Sequence, residues 1–200
     1  MNAHMLTSSG RDFVPTQLVP ADVCITDIAH ALSLICRFGG HTVEHYSVAQ
    51  HSLLVARILS AMDASPAVQL AVLMHDAHEA YIGDIPTPIK DALGLCWHEL
   101  ELQAADAVQD AFGLSSVMQS NKAIIKHADL VALATERRDL TCFDTNRNLS
   151  WDILVGVSPF CEPATAGSWS PQWWADLFLD KFTSLRDAIA ILSVDMPTAA

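Results

Sequence analysis

The sequence predicts an all-α fold in a single domain, and three observations carry that prediction. Apolar residues recur at intervals of three and four along most of the chain, the period of a helix with one buried face. No stretch alternates apolar and polar residues over the length of a strand, and no internal repeat is visible. The chain has 200 residues, 51% of them hydrophobic, with a mean hydropathy of +0.27. That is enough for one substantial core and too apolar for a disordered chain.

Residues 1–25, with Pro15 and Pro20, read as an extended arm ahead of a core expected over 26–140. A first helix opens near Asp27, with Ile28, Ala31, Leu32 and Ile35 on one face. Gly39-Gly40 stops it, which puts Arg37 at its end. Ser47-Val48-Ala49-Gln50 has the form of a capping box, in which two side chains satisfy free backbone N–H groups reciprocally. The helix it opens is expected to reach Met62. Ser65-Pro66 supplies an N-cap and a first-turn proline for a third helix, expected to end near Tyr81-Ile82-Gly83. The stretch Asp84-Ile85-Pro86-Thr87-Pro88 cannot be regular helix, since its two prolines lack donors and push their neighbours to extended geometry. Further helices are expected over Cys96–Phe112 and Asn121–Leu140. Residues 141–169 lack a period and read as a long surface excursion. Ser170-Pro171 opens a packing helix over 170–192, with Trp174, Leu177, Phe178, Phe182, Leu185, Ile189 and Leu192 on one side.

The formal net charge of −12 repels phosphate backbones and argues against a duplex nucleic-acid binder. It leaves room for a small anionic ligand, because local cations and a metal can reverse the potential inside one pocket. No apolar run reaches the roughly 18 residues of a membrane span, so no membrane partner is expected. Met1–Asp12 has no basic-then-apolar leader, and a cytoplasmic location is expected. The five cysteines include no C-x-x-C pair and are expected to be reduced and mostly buried. Low charge with high hydrophobicity predicts a homo-oligomer.

Polar residues that interrupt apolar helical stripes need a reason. His51 falls inside the stripe Val48, His51, Val55, Ile58, Met62, and Asp129 inside Ile125, Ala128, Asp129, Ala132. The run Leu70-Ala71-Val72-Leu73-Met74 is apolar on every face and leads straight into His75-Asp76. Alone, each of these is a hydrogen-bonded core residue. Together they are two imidazoles and two carboxylates where core residues belong, a mixed N/O set suited to a divalent cation that keeps positions open for water. His75-Asp76-Ala77-His78-Glu79 is neither H-E-x-x-H nor H-x-x-E-H, and no P-loop, Rossmann or nucleophile-elbow motif occurs. His41 and His45 read as loop residues that line a pocket or face solvent. Arg137-Arg138 reads as a solvated helix face, and Trp173-Trp174 as core or subunit interface.

The pattern His51, His75-Asp76, Asp129 on an all-α chain resembles the HD-domain metal-dependent phosphohydrolases. His75-Asp76-Ala77-His78-Glu79-Ala80-Tyr81-Ile82-Gly83-Asp84-Ile85-Pro86-Thr87-Pro88-Ile89-Lys90 resembles the H-D-x-x-E-x-x-x-G-D-[IL]-P-[ST]-P-[VI]-K stretch of small bacterial deoxynucleotide 5′-nucleotidases. Lys126-His127-Ala128-Asp129 resembles the helix that gives the last ligand. The front end, Ile28-Ala29-His30-Ala31-Leu32 and Arg37-Phe38-Gly39-Gly40-His41, is similar to small phage HD proteins. These include dATP triphosphohydrolases of phages that replace adenine with diaminopurine.

The resemblance implies a cation on His51, His75, Asp76 and Asp129 that activates water against phosphorus. Zinc, cobalt or manganese suits those donors, with magnesium as a second ion. Glu79, four residues after His75, is expected to hold or deprotonate the water. Asp84 is expected to donate a proton, orient water or bind a second cation; the alternative is a plain turn-capping Asp. Arg37 and Lys90 are candidates for gripping phosphates, or else solvated side chains. Phe38, Ile85 and Pro88 are candidates for sandwiching a base, or else local packing. The expected function is hydrolysis of a deoxynucleotide substrate, foremost dATP or another dNTP cleaved to deoxynucleoside and triphosphate, in a phage host's cytoplasm if phage-encoded. A 5′-nucleotidase acting on monophosphates is the alternative, and a non-catalytic nucleotide sensor the outside one.

Overall fold

The computed structural model describes residues 3–165 and 167–194. Where the sequence suggests an irregular arm, a two-residue hairpin forms: β1 (Met5–Leu6) pairs antiparallel with β2 (Asp12–Phe13). Its turn is pinned to the first helix by Asp27, which accepts from Ser8 Oγ (2.7 Å), Ser9 N (2.8 Å) and Ser9 Oγ (2.7 Å). Burial opposes ionisation of Asp27, but these three donors outweigh it and hold its pKa below the usual range.

Helices dominate the rest. They are α1 (Ile25–Leu34), α2 (Val48–Ala61), α3 (Pro66–Leu73), α4 (Glu79–Ile82), α5 (Thr87–Leu93), α6 (Leu95–Phe112), α7 (Ser115–Ser120), α8 (Lys122–Leu140) and α9 (Pro171–Val194). Among the described residues none is long and apolar enough to cross a membrane. The all-α prediction holds, and α2 is capped as its sequence requires. Gln50 N donates to Ser47 Oγ (3.3 Å) while Ser47 N donates to Gln50 Oε1 (2.9 Å).

Four boundaries differ from expectation, each with a local cause. The first helix ends at Leu34, because Ile35 and Cys36 turn extended and Cys36 bridges to Ser47. Arg37 therefore sits in a separate kinked turn, Arg37–Gly40, and not at a helix end. The third helix breaks at Met74. Val72 O accepts from both His75 N (3.3 Å) and His75 Nδ1 (2.6 Å), so it is not left to the next α-helical bond. Glu79 starts a new short helix, ended by Gly83 at φ 85° and ψ 159°, a conformation close to glycine-only. Thr87-Pro88 open α5, with proline in the first turn where its missing donor costs little.

The core sits where α2 packs between α3 and α8, and α9 lies along α1 and α3. Ile28, Leu32, Leu59, Leu70, Leu73 and Phe178 fill it. Trp174 is buried as expected, but Leu192 is exposed and Trp173 stacks on Trp169 at the surface. The cysteines are free, yet none is buried: Cys24 and Cys36 are half-buried and Cys96, Cys142 and Cys161 exposed.

Arg138 is exposed, as a solvated helix face requires, and Arg137 is half-buried, yet the face also holds loop contacts. Arg138 donates to Phe160 O (2.7 Å) and Glu162 O (3.0 Å) and pairs with Asp139, which accepts from Ala164 N (2.9 Å). These contacts tie the 141–169 excursion to α8.

Candidate metal centre

Three parts of the chain, α2, the turn after α3 and α8, converge on one point. His51, in α2, is fully buried, and its Nε2 lies 3.4 Å from His75 Nε2, 3.5 Å from Asp76 Oδ2 and 3.3 Å from Asp129 Oδ1. His75 Nε2 is 3.1 Å from Asp76 Oδ2 and 4.0 Å from Asp129 Oδ1. The break after Leu73 lets two adjacent residues, His75 and Asp76, face one point, which a continued helix would splay by about 100°.

The hydrogen bonds decide what belongs there. His75 Nδ1 meets a carbonyl, which can only accept, so Nδ1 carries the proton. His51 Nδ1 lies 2.6 Å from Glu136 Oε1, a fully buried carboxylate, and it too donates. Both Nε2 atoms therefore turn lone pairs toward each other and toward two carboxylate oxygens. Only a cation or a proton resolves such a convergence of acceptors. In the metal-free chain burial and Arg37 oppose a charged His51, but Glu136 and Asp129 prevail and push it up to about 9. Two donor atoms about 2.1 Å from one ion stand roughly 3.0 Å apart at 90° and 4.2 Å at 180°. The separations among His51, His75 and Asp76, 3.1–3.5 Å, lie inside that window, and Asp129 Oδ1 stands outside this close group, 3.3 Å from His51 and 4.0 Å from His75. His51, His75 and Asp76 together fit a divalent cation. The imidazoles lie deep, and Asp76 and Asp129 are about one-fifth exposed at the mouth, so open coordination positions would face the approach side.

Glu136 is the functional residue that the sequence reading missed. It orients His51 and accepts from Arg37 Nη2 (3.3 Å). Its place was visible: Asp129, Ala132 and Glu136 follow at three and four on one face of α8. Arg37, whose side chain is only 12% exposed, lies 3.7 Å from Asp76, and four carboxylates act on it: Glu136, Asp76, Asp84 and Glu79. It is a neutralising cation woven into the site, not a solvated side chain.

Glu79 is buried, and its Oε2 has no hydrogen-bond partner among the described residues. Burial first, then the charges of Asp76 and Asp84, push its pKa well above the usual carboxylate range. Asp84 is also raised, chiefly by burial and then by Asp76 against the pull of Arg37. Both carboxyls therefore hold a proton more readily than a free carboxyl does.

The other candidates sit less simply. Lys90 is half-buried and ion-paired with Glu101, which also lies 3.8 Å from His78 Nε2. The nearby His78 first, and then Lys90, hold Glu101 down to about 2. Phe38 adopts φ 56° in the kinked turn, with the Arg37 guanidinium 5.6 Å from its ring centre. Ile85 is half-buried and Pro88 exposed on α5, and neither packs into the core. His41 and His45 are exposed.

Residues 48–141, which include His51, His75, Asp76 and Asp129, match the HD domain. The chain is 37% identical over 181 residues to the uncharacterized protein YfdR of Escherichia coli, covering 90% of this chain and 94% of that protein. It is 39% identical over 142 residues to an uncharacterized protein of Rhodobacter capsulatus, covering 68% of this chain and 71% of that protein. A buried His/Asp cluster fit for a divalent cation lies within the matched region, and the chain belongs to the HD domain family, whose members are generally metal-dependent hydrolases of phosphoester bonds.

Proposed function

We propose that this protein hydrolyses deoxynucleotides at the 5′ phosphoester, with His51, His75, Asp76 and Asp129 holding the cation. The observation that carries the reading is the pair of Nε2 lone pairs facing two carboxylates, with the orphan carboxyl of Glu79 within the electrostatic reach of Asp76. A divalent cation held there lowers the pKa of water and stabilises charge on phosphoryl oxygens.

The chain's own groups do the rest. Glu79, buried and with a raised pKa, takes a proton from the attacking water. The water oxygen bonds to the α-phosphorus and the bond to the 5′ oxygen breaks. Asp84, with a raised pKa of its own, supplies the proton that the leaving 5′ oxygen needs. Arg37 offsets the acidic cluster so that an anion can approach it.

The preferred substrate is a dNTP, dATP foremost, giving deoxynucleoside and triphosphate. The similarity of the Arg37-Phe38-Gly39-Gly40 segment to phage triphosphohydrolases supports this choice. The 5′-nucleotidase reading draws its support from the Gly83–Lys90 stretch. Chromatography of products from each dNTP and dNMP, with manganese, cobalt, zinc or magnesium added, separates them. Triphosphate with deoxynucleoside is the expected outcome. Phosphate released from monophosphates alone would favour the nucleotidase, and binding without any product a sensor.

Lys90 gives a second test. Its pairing with Glu101 means that it reaches a phosphate only by sharing or leaving that partner. Lys90→Ala should raise KM for dATP roughly fivefold, the worth of a half-exposed charge contact of about 1 kcal/mol. The loss should be smaller for dAMP and should shrink as salt is added. Equal KM changes on both nucleotides would make Lys90 a structural partner of Glu101.

A further inference from the structure

The 141–169 excursion brings an aromatic side chain against Phe38, the neighbour of Arg37 at the metal centre. Arg37 links the two: its Nη1 is 3.7 Å from Asp76, and its guanidinium lies over the ring of Phe38. Phe38 and Asp63 are the non-glycine residues at positive φ among the described residues, and a bulky ring in that conformation is held against its preference. The kink sets the Phe38 ring 6.2 Å from that of Trp151, at an interplanar angle of 37°. Trp151 in turn meets Phe143 edge-on at 6.1 Å. All three rings are only half-buried.

Arg137 completes the cluster. Its guanidinium lies 4.5 Å from the centre of the Phe143 ring and 5.6 Å from that of Trp151. Among the described residues it forms no carboxylate pair, whereas Arg37, at the metal centre, forms two. A cation without a counter-ion, fixed on two aromatic faces, suits a planar, electron-rich ligand attached to an anion. The distance is suitable as well. Arg137 follows Asp129 by eight residues on α8, roughly 12 Å along the helix axis, on the scale that separates a nucleotide's phosphate from the far edge of its base.

We infer that Trp151, backed by Arg137, is a base-recognition residue: the excursion completes the substrate site by offering a ring face beside Phe38 on which the nucleobase stacks. This rests on the deoxynucleotide reading above and gives the irregular segment 141–169 a purpose. Stacking on an aromatic face tolerates any base and weakens when the ring is removed.

The test uses the full-length chain and two readouts. Steady-state kinetics of Trp151→Ala and Trp151→Phe are measured on the four dNTPs and on 1,2-dideoxyribose 5-triphosphate, which lacks a base. Saturation-transfer NMR measures binding of the deoxynucleosides alone, whether or not turnover occurs. For Trp151→Ala the expected result is a KM about tenfold higher on the dNTPs, with kcat within about twofold and the base-free substrate unaffected. Trp151→Phe should restore most of the affinity, and nucleoside signals should vanish in Trp151→Ala.

Unchanged KM on dNTPs, or an equal rise on the base-free substrate, would overturn the assignment while leaving the hydrolase reading intact. Nucleoside binding that depends on Trp151, in a protein that cleaves no nucleotide, would sustain the assignment and overturn the hydrolase reading. Absence of both binding and cleavage in the wild type would overturn the two together.

Discussion

Glu79→Gln should leave the protein with its full complement of metal and lower kcat on the order of 10²–10⁴-fold, the usual worth of a positioned general base. The expectation follows from where Glu79 sits. It is buried, one carboxylate oxygen is unpartnered, and burial with the charges of Asp76 and Asp84 raises its pKa. The same facts fix the sign of a stability effect. An acid whose folded pKa is raised favours folding less once pH climbs above its unfolded value, because the unfolded chain then ionises more readily. A neutral amide removes that cost, so the metal-free variant should melt no lower than the metal-free wild type near pH 7. Metal lost along with activity would instead make Glu79 a ligand.

The second large effect belongs to Glu136. Glu136→Ala takes the acceptor from His51 Nδ1 and one carboxylate from Arg37, both inside the protein. Outer partners that orient a ligating histidine are typically worth 10–100-fold in metal affinity, and a loss in that range is expected here. Breaking a buried ion pair from one side costs about 3–5 kcal/mol, so thermal stability should fall too. Glu136→Gln still accepts from His51 Nδ1 and should recover much of the affinity. Metal titration of the two variants by calorimetry checks both statements. Wild-type affinity in Glu136→Ala would show that His51 needs no orienting partner.

These two residues show what could be read from sequence and what could not. His51 and Asp129 were legible because each breaks an apolar stripe whose neighbours, Val48, Val55, Ala128 and Ala132, are buried in the fold. Glu136 lies on that same stripe of α8 but stands directly before Arg137-Arg138, which reads as a solvated face. Periodicity reports which face a residue is on, not which distant side chain it meets, and Glu136 meets its partners across 85 and 99 residues of chain. The break after Leu73 was hidden for a related reason. The apolar run and its imidazole read as continuous helix, while the bond from His75 Nδ1 to Val72 O that competes with the helix exists only in three dimensions. Local signals did better. The Ser47–Gln50 box and the Ser65-Pro66 start were legible because their partners lie within one turn. The charge pairing of Lys90 was not, since Glu101 lies on another helix.

Metal content tests the central claim most directly. Elemental analysis of the purified protein should find about one divalent transition ion per chain, alongside hydrolysis of a deoxynucleotide. His51→Ala, His75→Ala and Asp76→Ala should each lose the ion and the hydrolysis together while remaining folded by circular dichroism. Full metal content in these variants, or hydrolysis that persists in wild-type protein stripped by a chelator, would contradict the account.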